Sequence, residues 1–307
     1  MKKLLLAFLL LVAPLAPAAV INVEFKFTPF VGDPEKDTQV TAVPGKAQVF
    51  INNVPFTEEE VRADKLPVLF DEHEVSPSVW VPVNSIGPAV RKGKNKIRIE
   101  FTPNDSAATY RARLRWASVM DEPTEEAGPG TMRSTNQANE GVEDRKTLKG
   151  KVTFEREFTA DFALDLPWHH YPAVTNLTEE DKQKITGLLK KRAEWFQPDF
   201  AALYKAIEEN ETLKVDDVRK AQCLEAAYKA GVRVAAPQAG ELDFATTGGP
   251  EVVVRRKTGS LFGLDEKTFA PLKDQEALMC SGMVLAVIYP GRLVAVRKPD
   301  GAWEIVY

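Results

Sequence analysis

The most unusual local string in this 307-residue chain is Trp168-His169-His170-Tyr171, which holds two of the three histidines. Imidazoles ligate metals and carry protons, and aromatic rings offer a stacking surface, so the string predicts a ligand-binding site. Adjacent residues of an extended chain point to opposite faces, which makes it difficult for both histidines to reach one metal ion. The competing interpretation is a packing segment between two domains, with partly buried rings. We expect no resident metal or cofactor.

The third histidine lies in the acidic stretch Asp71-Glu72-His73-Glu74. Such a stretch could hold calcium, but it lacks the alternating ligand spacing of a calcium loop, and a solvated loop is the simpler interpretation. The chain lacks a G-x-S-x-G elbow and the Ser-x-x-Lys and H-E-x-x-H patterns that mark common hydrolases and zinc peptidases. We therefore assign no catalytic residue, although a glycosidase-like pair of carboxylates stays open.

Arginines and tryptophans offer two further candidate surfaces. Arg111, Arg113 and Arg115 alternate with apolar residues and predict one basic face of a strand, solvated or paired with acids rather than binding a polyanion. A sugar-stacking platform could use tryptophan, but tryptophan is more often a core residue, and we expect at most one or two to be exposed. The five tryptophans are Trp80, Trp116, Trp168, Trp195 and Trp303.

The two cysteines, Cys223 and Cys280, lack the C-x-x-C spacing of a redox motif. In an oxidising compartment they could form one disulfide. Cys223 is predicted in the middle of a helix and Cys280 early in a strand, both among apolar residues. Two buried free thiols are the alternative, because cysteine often behaves as a small apolar residue.

The first 19 residues have the pattern of a secretory signal peptide. Lys2 and Lys3 precede the apolar run Leu4–Val12, which is followed by Ala16-Pro17-Ala18, the order of a leader with its cleavage site. We expect cleavage after Ala18 or Ala19 and an exported soluble protein, either periplasmic or secreted. A membrane anchor is the alternative, but the run is much shorter than the roughly 20 residues that a span needs.

Composition excludes several classes of protein. With 44% hydrophobic and 27% charged residues, the chain is typical of globular proteins rather than of disordered or multi-span membrane proteins. The net charge is −4, and loss of the two leader lysines would make it −6. This charge does not favour a nucleic-acid partner. The expected partners are a glycan, a small ligand or another exported protein.

Residues 20–172 predict an all-β sandwich. Apolar alternation with period two is separated by Pro-Gly, Asn-Asn and Gly-Lys-Asn turn sequences, a pattern typical of antiparallel strands. A polar segment at about 120–150 has almost no apolar residues and predicts a flexible insertion. The expected strands are 20–27, 47–51, 79–83, 96–101, 110–119 and 151–164.

Two stretches of this region resemble galactose-binding-like jelly rolls. They are 47–54, which reads Ala-Gln-Val-Phe-Ile-Asn-Asn-Val, and the combination of 80–84 with 90–100, which ends Lys-Gly-Lys-Asn-Lys-Ile-Arg-Ile-Glu. An Asn stands where the turn glycine is usual. The resemblance implies a jelly-roll-like sandwich, and it transfers no binding residue, because such domains include glycan binders and purely structural modules.

Residues 176–307 predict an α+β domain of three helices and a C-terminal antiparallel sheet. Thr178 is a suitable N-cap for the first helix, a second runs from about 200 to 210, and a third from 215 to 230. Residues 283–289, 293–297 and 303–307 are separated by Pro-Gly and Pro-Asp-Gly and predict a three-stranded meander. This order of elements resembles the NTF2-like, cystatin-related cone.

Taken together, the residues favour an exported, non-catalytic binding or interaction module for a glycan or small ligand. The resemblance to NTF2-like proteins leaves one alternative, a hydrolase or isomerase that uses a pocket in the C-terminal domain. That alternative predicts ionisable residues converging on a concave apolar cavity. Whether the chain is an enzyme is not decided by its sequence.

Overall fold

The computed structural model describes residues 19–69, 73–83, 89–122, 134–210 and 213–306. Within these ranges the fold is predominantly β, with antiparallel sheets and six α-helices. The predicted signal peptide lies outside the described residues except for Ala19, which begins the first strand. The predicted boundaries at 20–172 and 176–307 stay a prediction.

The chain divides into two compact units that do not follow chain order. Unit 1 contains the described residues up to Ala47, together with Glu59–Asn95 and Glu100–Leu164. Unit 2 contains Gln48–Glu58, Lys96–Ile99 and the chain from Asp165 onward. A hairpin tip and a short piece of a neighbouring strand therefore belong with the C-terminal residues.

Eleven strands precede Asp165 among the described residues. One sheet has the order β10-β9-β1-β2-β5-β6, with β7 also paired to β1, and a second has the order β11-β8-β3-β4. The strands are β1 (Ala19–Val31), β2 (Gln39–Ala42), β3 (Gly45–Ile51), β4 (Val54–Val61), β5 (Lys65–Leu69), β6 (Glu74–Val75), β7 (Val79–Val83), β8 (Gly93–Pro103), β9 (Tyr110–Glu122), β10 (Ser134–Leu148) and β11 (Val152–Ala160).

Residues 23–27 of β1 alternate between the core of unit 1 and the opposite face of the sheet. Phe25 and Phe27 are fully buried, while the intervening charged residues lie on the other face, as the period of a strand requires. The Phe27 ring lies 5.9 Å from the ring of Phe101 and 5.5 Å from that of Phe154. Because these partners come from β8 and β11, aromatic packing joins the two sheets. Burial of each such ring contributes about 1.5–3 kcal/mol.

The predicted flexible insertion at 120–150 is wrong wherever the structure describes those residues. β9 continues to Glu122, and β10 pairs with β9 along most of its length; residues 123–133 lie outside the described ranges. The strand has few apolar residues, so hydrophobic periodicity did not reveal it. It is held by backbone pairing, by ion pairs of Asp144, and by Gly141, where a Cβ would come within 2.1 Å of the Trp116 ring.

Unit 2 adds six helices and a four-stranded antiparallel sheet with the order β12-β13-β14-β15. Short 3₁₀ turns occur at Pro167–His170 and Ala239–Glu241. The helices are α1 (Glu179–Ala193), α2 (Ala201–Asn210), α3 (Val215–Ala221), α4 (Cys223–Lys229), α5 (Glu266–Phe269) and α6 (Gln275–Ile288). The strands are β12 (Leu242–Thr246), β13 (Glu251–Arg256), β14 (Arg292–Arg297) and β15 (Trp303–Ile305).

Helix α1 begins as the sequence predicts. The Thr178 side chain accepts a hydrogen bond from the Asp181 N–H, and the Asp181 carboxylate accepts one from the Thr178 N–H. The same carboxylate accepts a bond of 2.9 Å from the Trp303 indole. Burial acts to raise the pKa of Asp181, but these hydrogen bonds outweigh it and hold the pKa below its ordinary value.

Two predictions for unit 2 are wrong. The single helix expected at 215–230 is divided at Gln222, whose φ is 49°, into α3 and α4. Residues 283–288, expected as the first strand of a meander, belong to α6, so α5 and α6 lie between β13 and β14 and the order of three helices followed by a sheet does not hold. The prediction was wrong because an unbroken apolar run is compatible with a buried helix as well as with a strand. The helix begins after Asp274, whose side chain accepts a hydrogen bond from the Ala277 N–H.

Candidate functional site

The Trp168–Tyr171 string does not form the extended segment that we predicted. Pro167–His170 is a 3₁₀ turn. His169 is buried with its ring 5.7 Å from that of Trp168, whereas the exposed His170 ring lies 2.6 Å, Nε2 to Oδ1, from Asp165. The two imidazoles have separate surroundings, and their ligand-binding role stays a prediction.

No group of three His, Cys, Asp or Glu residues suited to a metal ion occurs in the part of the chain that the structure describes. Asp71 and Glu72 of the acidic stretch lie outside that part. Glu74 is described, and its carboxylate lies 3.3 Å from Arg115 and 3.9 Å from Lys26. This carboxylate therefore contributes to the charge balance of the neighbouring strands.

The basic face of β9 is paired with acids. Arg111 and Arg113 lie 3.0 and 2.8 Å from the Asp144 carboxylate, and Arg111 also lies 3.4 Å from Asp33. Burial acts to raise the pKa of Asp144, but the hydrogen bonds from Arg113 and Arg111 outweigh it and hold the pKa below its ordinary value. Of the two interpretations of this face, the structure shows the one in which each arginine has a carboxylate partner.

Trp80 is the one tryptophan that is largely exposed among the described residues, with an accessible fraction of 55%. Trp116 carries the Arg156 guanidinium 3.8 Å above its ring, and Trp303 is buried. In the described ranges, no second aromatic ring stacks against Trp80. A sugar platform on this strand stays a prediction.

A disulfide joins Cys223 of α4 to Cys280 of α6, across a Cα–Cα distance of 6.0 Å. Cys223 is fully buried. Cys280 lies in a helix rather than in the expected strand. The bond fixes one side of α6 to the helical part of unit 2.

The opposite side of α6 borders an apolar cavity with a volume of about 680 Å³. Leu278, Gly282 and Ala286 are spaced four residues apart and therefore follow one stripe of the helix. The facing wall comes from α5 and the segments on either side of it. The complete lining is Ser260, Leu264, Asp265, Phe269, Ala270, Leu272, Lys273, Leu278, Gly282, Ala286, Tyr289, Pro290 and Gly291.

Gly282 creates part of this space. A Cβ built on it would meet no atom within 4 Å, so the helix has room for a larger side chain at the point where the cavity lies. Met279 and Met283, adjacent to the stripe, are 69% and 57% exposed. Methionine is flexible and polarizable, which suits an adaptable apolar surface.

Three polar side chains around this cavity have partners, whereas the buried Ser260 hydroxyl makes no hydrogen bond within the described residues. The Asp265 carboxylate accepts from the Thr268 N–H at the start of α5, a bond that lowers its pKa. The Lys273 ammonium donates to the Ala270 carbonyl, and the Tyr289 hydroxyl donates to the Arg192 carbonyl at 3.1 Å. Burial raises the pKa of Tyr289. The arrangement offers apolar contact with few polar contacts, which suits the binding of an apolar molecule.

A second, polar cleft of about 600 Å³ also lies within unit 2. The Asn53 amide donates to the Thr247 carbonyl, and the Arg292 guanidinium donates to the Phe56 carbonyl. These two bonds join the hairpin tip to β12 and β14. The lining is Gln48, Val49, Phe50, Asn53, Pro55, Thr57, Glu58, Arg98, Ala245, Thr246, Thr247, Gly248, Val253, Arg255 and Arg292.

Comparisons with models of known protein families, with curated proteins and with solved structures found no match. Within the described ranges, no helix combines the length and the apolar character that crossing a membrane requires. The function must therefore be argued from the two cavities. The sequence predicted a pocket in the C-terminal domain only as part of the alternative function, and it did not identify the residues that line either cavity.

Proposed function

We propose that this chain is an exported, non-catalytic binding protein that holds a small apolar ligand in the cavity beside α6. The observation that carries the proposal is the cavity itself. Its volume of about 680 Å³ falls within the roughly 300–1,000 Å³ of small-molecule sites, which are mostly apolar with a few polar groups. The leader pattern and the disulfide between Cys223 and Cys280 support export.

The binding energy would come from apolar contact. Leu264, Phe269 and Leu278 line the space while remaining partly accessible, so a ligand would remove their surface from water. Burial of apolar surface contributes roughly 25 cal/mol per Å². The Tyr289 hydroxyl and the Asp265 carboxylate are held by backbone partners, which favours recognition by shape over recognition by charge.

The test is binding of a neutral fluorescent probe, N-phenyl-1-naphthylamine, to the purified mature protein. Gly282→Leu places a side chain in the empty space without a backbone clash, and it also replaces a helical glycine, which favours the helix by up to about 1 kcal/mol. We expect it to weaken probe binding at least tenfold while the thermal midpoint stays the same or rises.

Gly187→Leu is the matched control, because Gly187 also lies inside a helix and has no atom within 4 Å of a built Cβ, but does not line the cavity. This variant should bind the probe within twofold of the unchanged protein. Equal affinity of both variants, or absence of probe binding to the unchanged protein, would contradict the proposal.

The finer description of the fold is also part of the proposal. The aromatic contacts of Phe27 with Phe101 and Phe154 support a jelly-roll-like sandwich for the β-rich residues. Helices packed with the β12–β15 sheet support an α+β arrangement related to the NTF2-like cone, with α5 and α6 as additions. A glycan or protein partner, and a hydrolase or isomerase activity in the C-terminal domain, stay predictions.

A further inference from the structure

The apolar cavity extends along the length of α6. Leu278, Gly282 and Ala286 border it on successive turns of the helix, and Tyr289 borders it at the end. These four positions fall within about 80° of one another around a helix, so they form one continuous wall. At a rise of about 1.5 Å per residue, the wall from Leu278 to Tyr289 is roughly 16 Å long.

The α6 wall is apolar along its whole length. Residues 278–288 include no charged residue, and the one hydroxyl among them, that of Ser281, is buried and donates to a backbone carbonyl of the same helix. The charged residues of the lining are Asp265 and Lys273, which belong to the facing wall and are exposed. The cavity therefore combines a long apolar path with one acid and one base at its exposed rim.

Two small residues keep this path open. A Cβ on Gly282 would meet no atom within 4 Å, and Ala286 is exposed and carries only a methyl group. A bulky side chain at Gly282 would block the middle of the path, whereas one at Ala286 would block only the end near Tyr289. Substitutions at the two positions should therefore shorten the path by different amounts.

We propose that the cavity binds one linear hydrocarbon chain, that of a fatty acid or a fatty alcohol, which lies along α6 with its polar end at the rim. This inference rests on the proposed function, because it names the class of the apolar ligand. Single C–C bonds of about 1.5 Å at tetrahedral angles advance an extended chain by about 1.25 Å per carbon. About 12 to 14 carbons therefore match the wall. Since the rim carries one charge of each sign, the chain rather than the head group determines the affinity.

The experiment titrates the purified mature protein with saturated alkanoates of 6 to 16 carbons, each below its critical micelle concentration. Binding is followed by calorimetry and by displacement of N-phenyl-1-naphthylamine. Each added methylene should tighten binding about fourfold, and the gain should stop at about 14 carbons, where the chain fills the path. 1-Decanol, which has a neutral end, should bind within tenfold of decanoate.

Ala286→Phe tests whether the chain lies along the helix. It should weaken tetradecanoate binding at least tenfold and decanoate binding less than threefold, because only the longer chain extends beyond residue 286. Ala202→Phe is the matched control, since Ala202 is exposed on α2 and does not line the cavity. This variant should bind both alkanoates within twofold of the unchanged protein. A general loss of folding would weaken both chains alike, so the difference between the two lengths separates blocking from damage.

The proposal is overturned if affinity does not depend on chain length, or if the gain per methylene continues unchanged to 16 carbons. Equal weakening of decanoate and tetradecanoate by Ala286→Phe would overturn it as well. So would a difference of more than tenfold between decanoate and 1-decanol, because the head group would then determine the affinity.

Failure of this inference can be distinguished from failure of the proposed function. If the naphthylamine probe binds and Gly282→Leu weakens it, but the effects of chain length are missing, the cavity binds apolar molecules and only the linear-chain assignment is wrong. If neither the probe nor any alkanoate binds, the proposed function is wrong too.

Discussion

The arginine–carboxylate pairs of β9 and the pair between β12 and β13 differ in how far water reaches them. On β9, Arg111, Arg113 and Arg115 contact Asp33, Asp144 and Glu74, so that three guanidinium groups meet three carboxylates. Between β12 and β13, Arg255 lies 2.7 Å from Asp243, and these two side chains are 62% and 42% exposed. The side chains of Arg111, Arg113 and Asp144 are only 15%, 12% and 20% exposed. The comparison teaches that pairs of the same chemistry should contribute differently to stability, because water screens the exposed pair more than the shielded one.

The largest effect should come from removing the shared acid of the first group. Asp144→Ala leaves Arg111 and Arg113, which are only 15% and 12% exposed, without their common partner. Loss of one member of a buried ion pair costs about 3 kcal/mol, and urea unfolding should show a decrease of that size. Asp243→Ala is the control on β12, where the partner Arg255 is 62% exposed. It should cost less than about 1 kcal/mol, and equal losses in the two variants would remove the distinction.

Protonation of Asp144 at low pH should also lower the free energy of unfolding, by less than its replacement with alanine does. The pKa of Asp144 is lowered in the folded state from an ordinary value of 3.8, so its stabilisation is present above that value. The stabilisation is lost as the pH falls through the folded-state pKa. The midpoint of urea unfolding, followed between pH 6 and pH 2, should fall less steeply below pH 4 in Asp144→Asn than in the unchanged protein. Identical acid profiles would mean that Asp144 is not coupled to the arginines.

The smallest effect should come from neutralising an arginine of the cleft. Arg255→Gln loses an exposed pair with Asp243 but removes the like-charge contact with Arg292. Each of these contributions is below about 1 kcal/mol. We expect the free energy of unfolding to change by less than about 0.5 kcal/mol. Arg113→Gln is the matched change on β9, and it should cost more than the cleft variant; a reversed order would contradict the comparison.

Strands and helices with one apolar face were predictable from the sequence. β1 alternates buried phenylalanines with half-buried charged residues, and Thr178 with three acids after it marks the start of α1. The predictions of two elements were wrong for opposite reasons. β10 is too polar for hydrophobic periodicity, because ion pairs and backbone bonds hold it, and α6 is so apolar that helix and strand could not be distinguished over 283–288.

The candidate sites were less predictable than the fold, because their residues are distant in sequence. Arg98 and Arg255 line one cleft although 157 positions separate them, and no local pattern connects them. Gly282 could not be predicted as a cavity residue from the sequence, because only the structure shows the empty space beside it. The Trp168–Tyr171 string is the opposite case. Its sequence pattern is conspicuous, but its two imidazoles contact different neighbours in the structure.

The disulfide connects the two parts of our proposal, export and ligand binding, through one helix. Helix α6 carries Cys280 on one side and the wall of the apolar cavity on the other. Thiols stay reduced in the cytoplasm and become oxidised in exported compartments. For a chain that is exported as we propose, the wall would be anchored covalently only after the chain has reached an oxidising environment, and its cytoplasmic precursor would carry the cavity residues without the crosslink that joins α6 to α4.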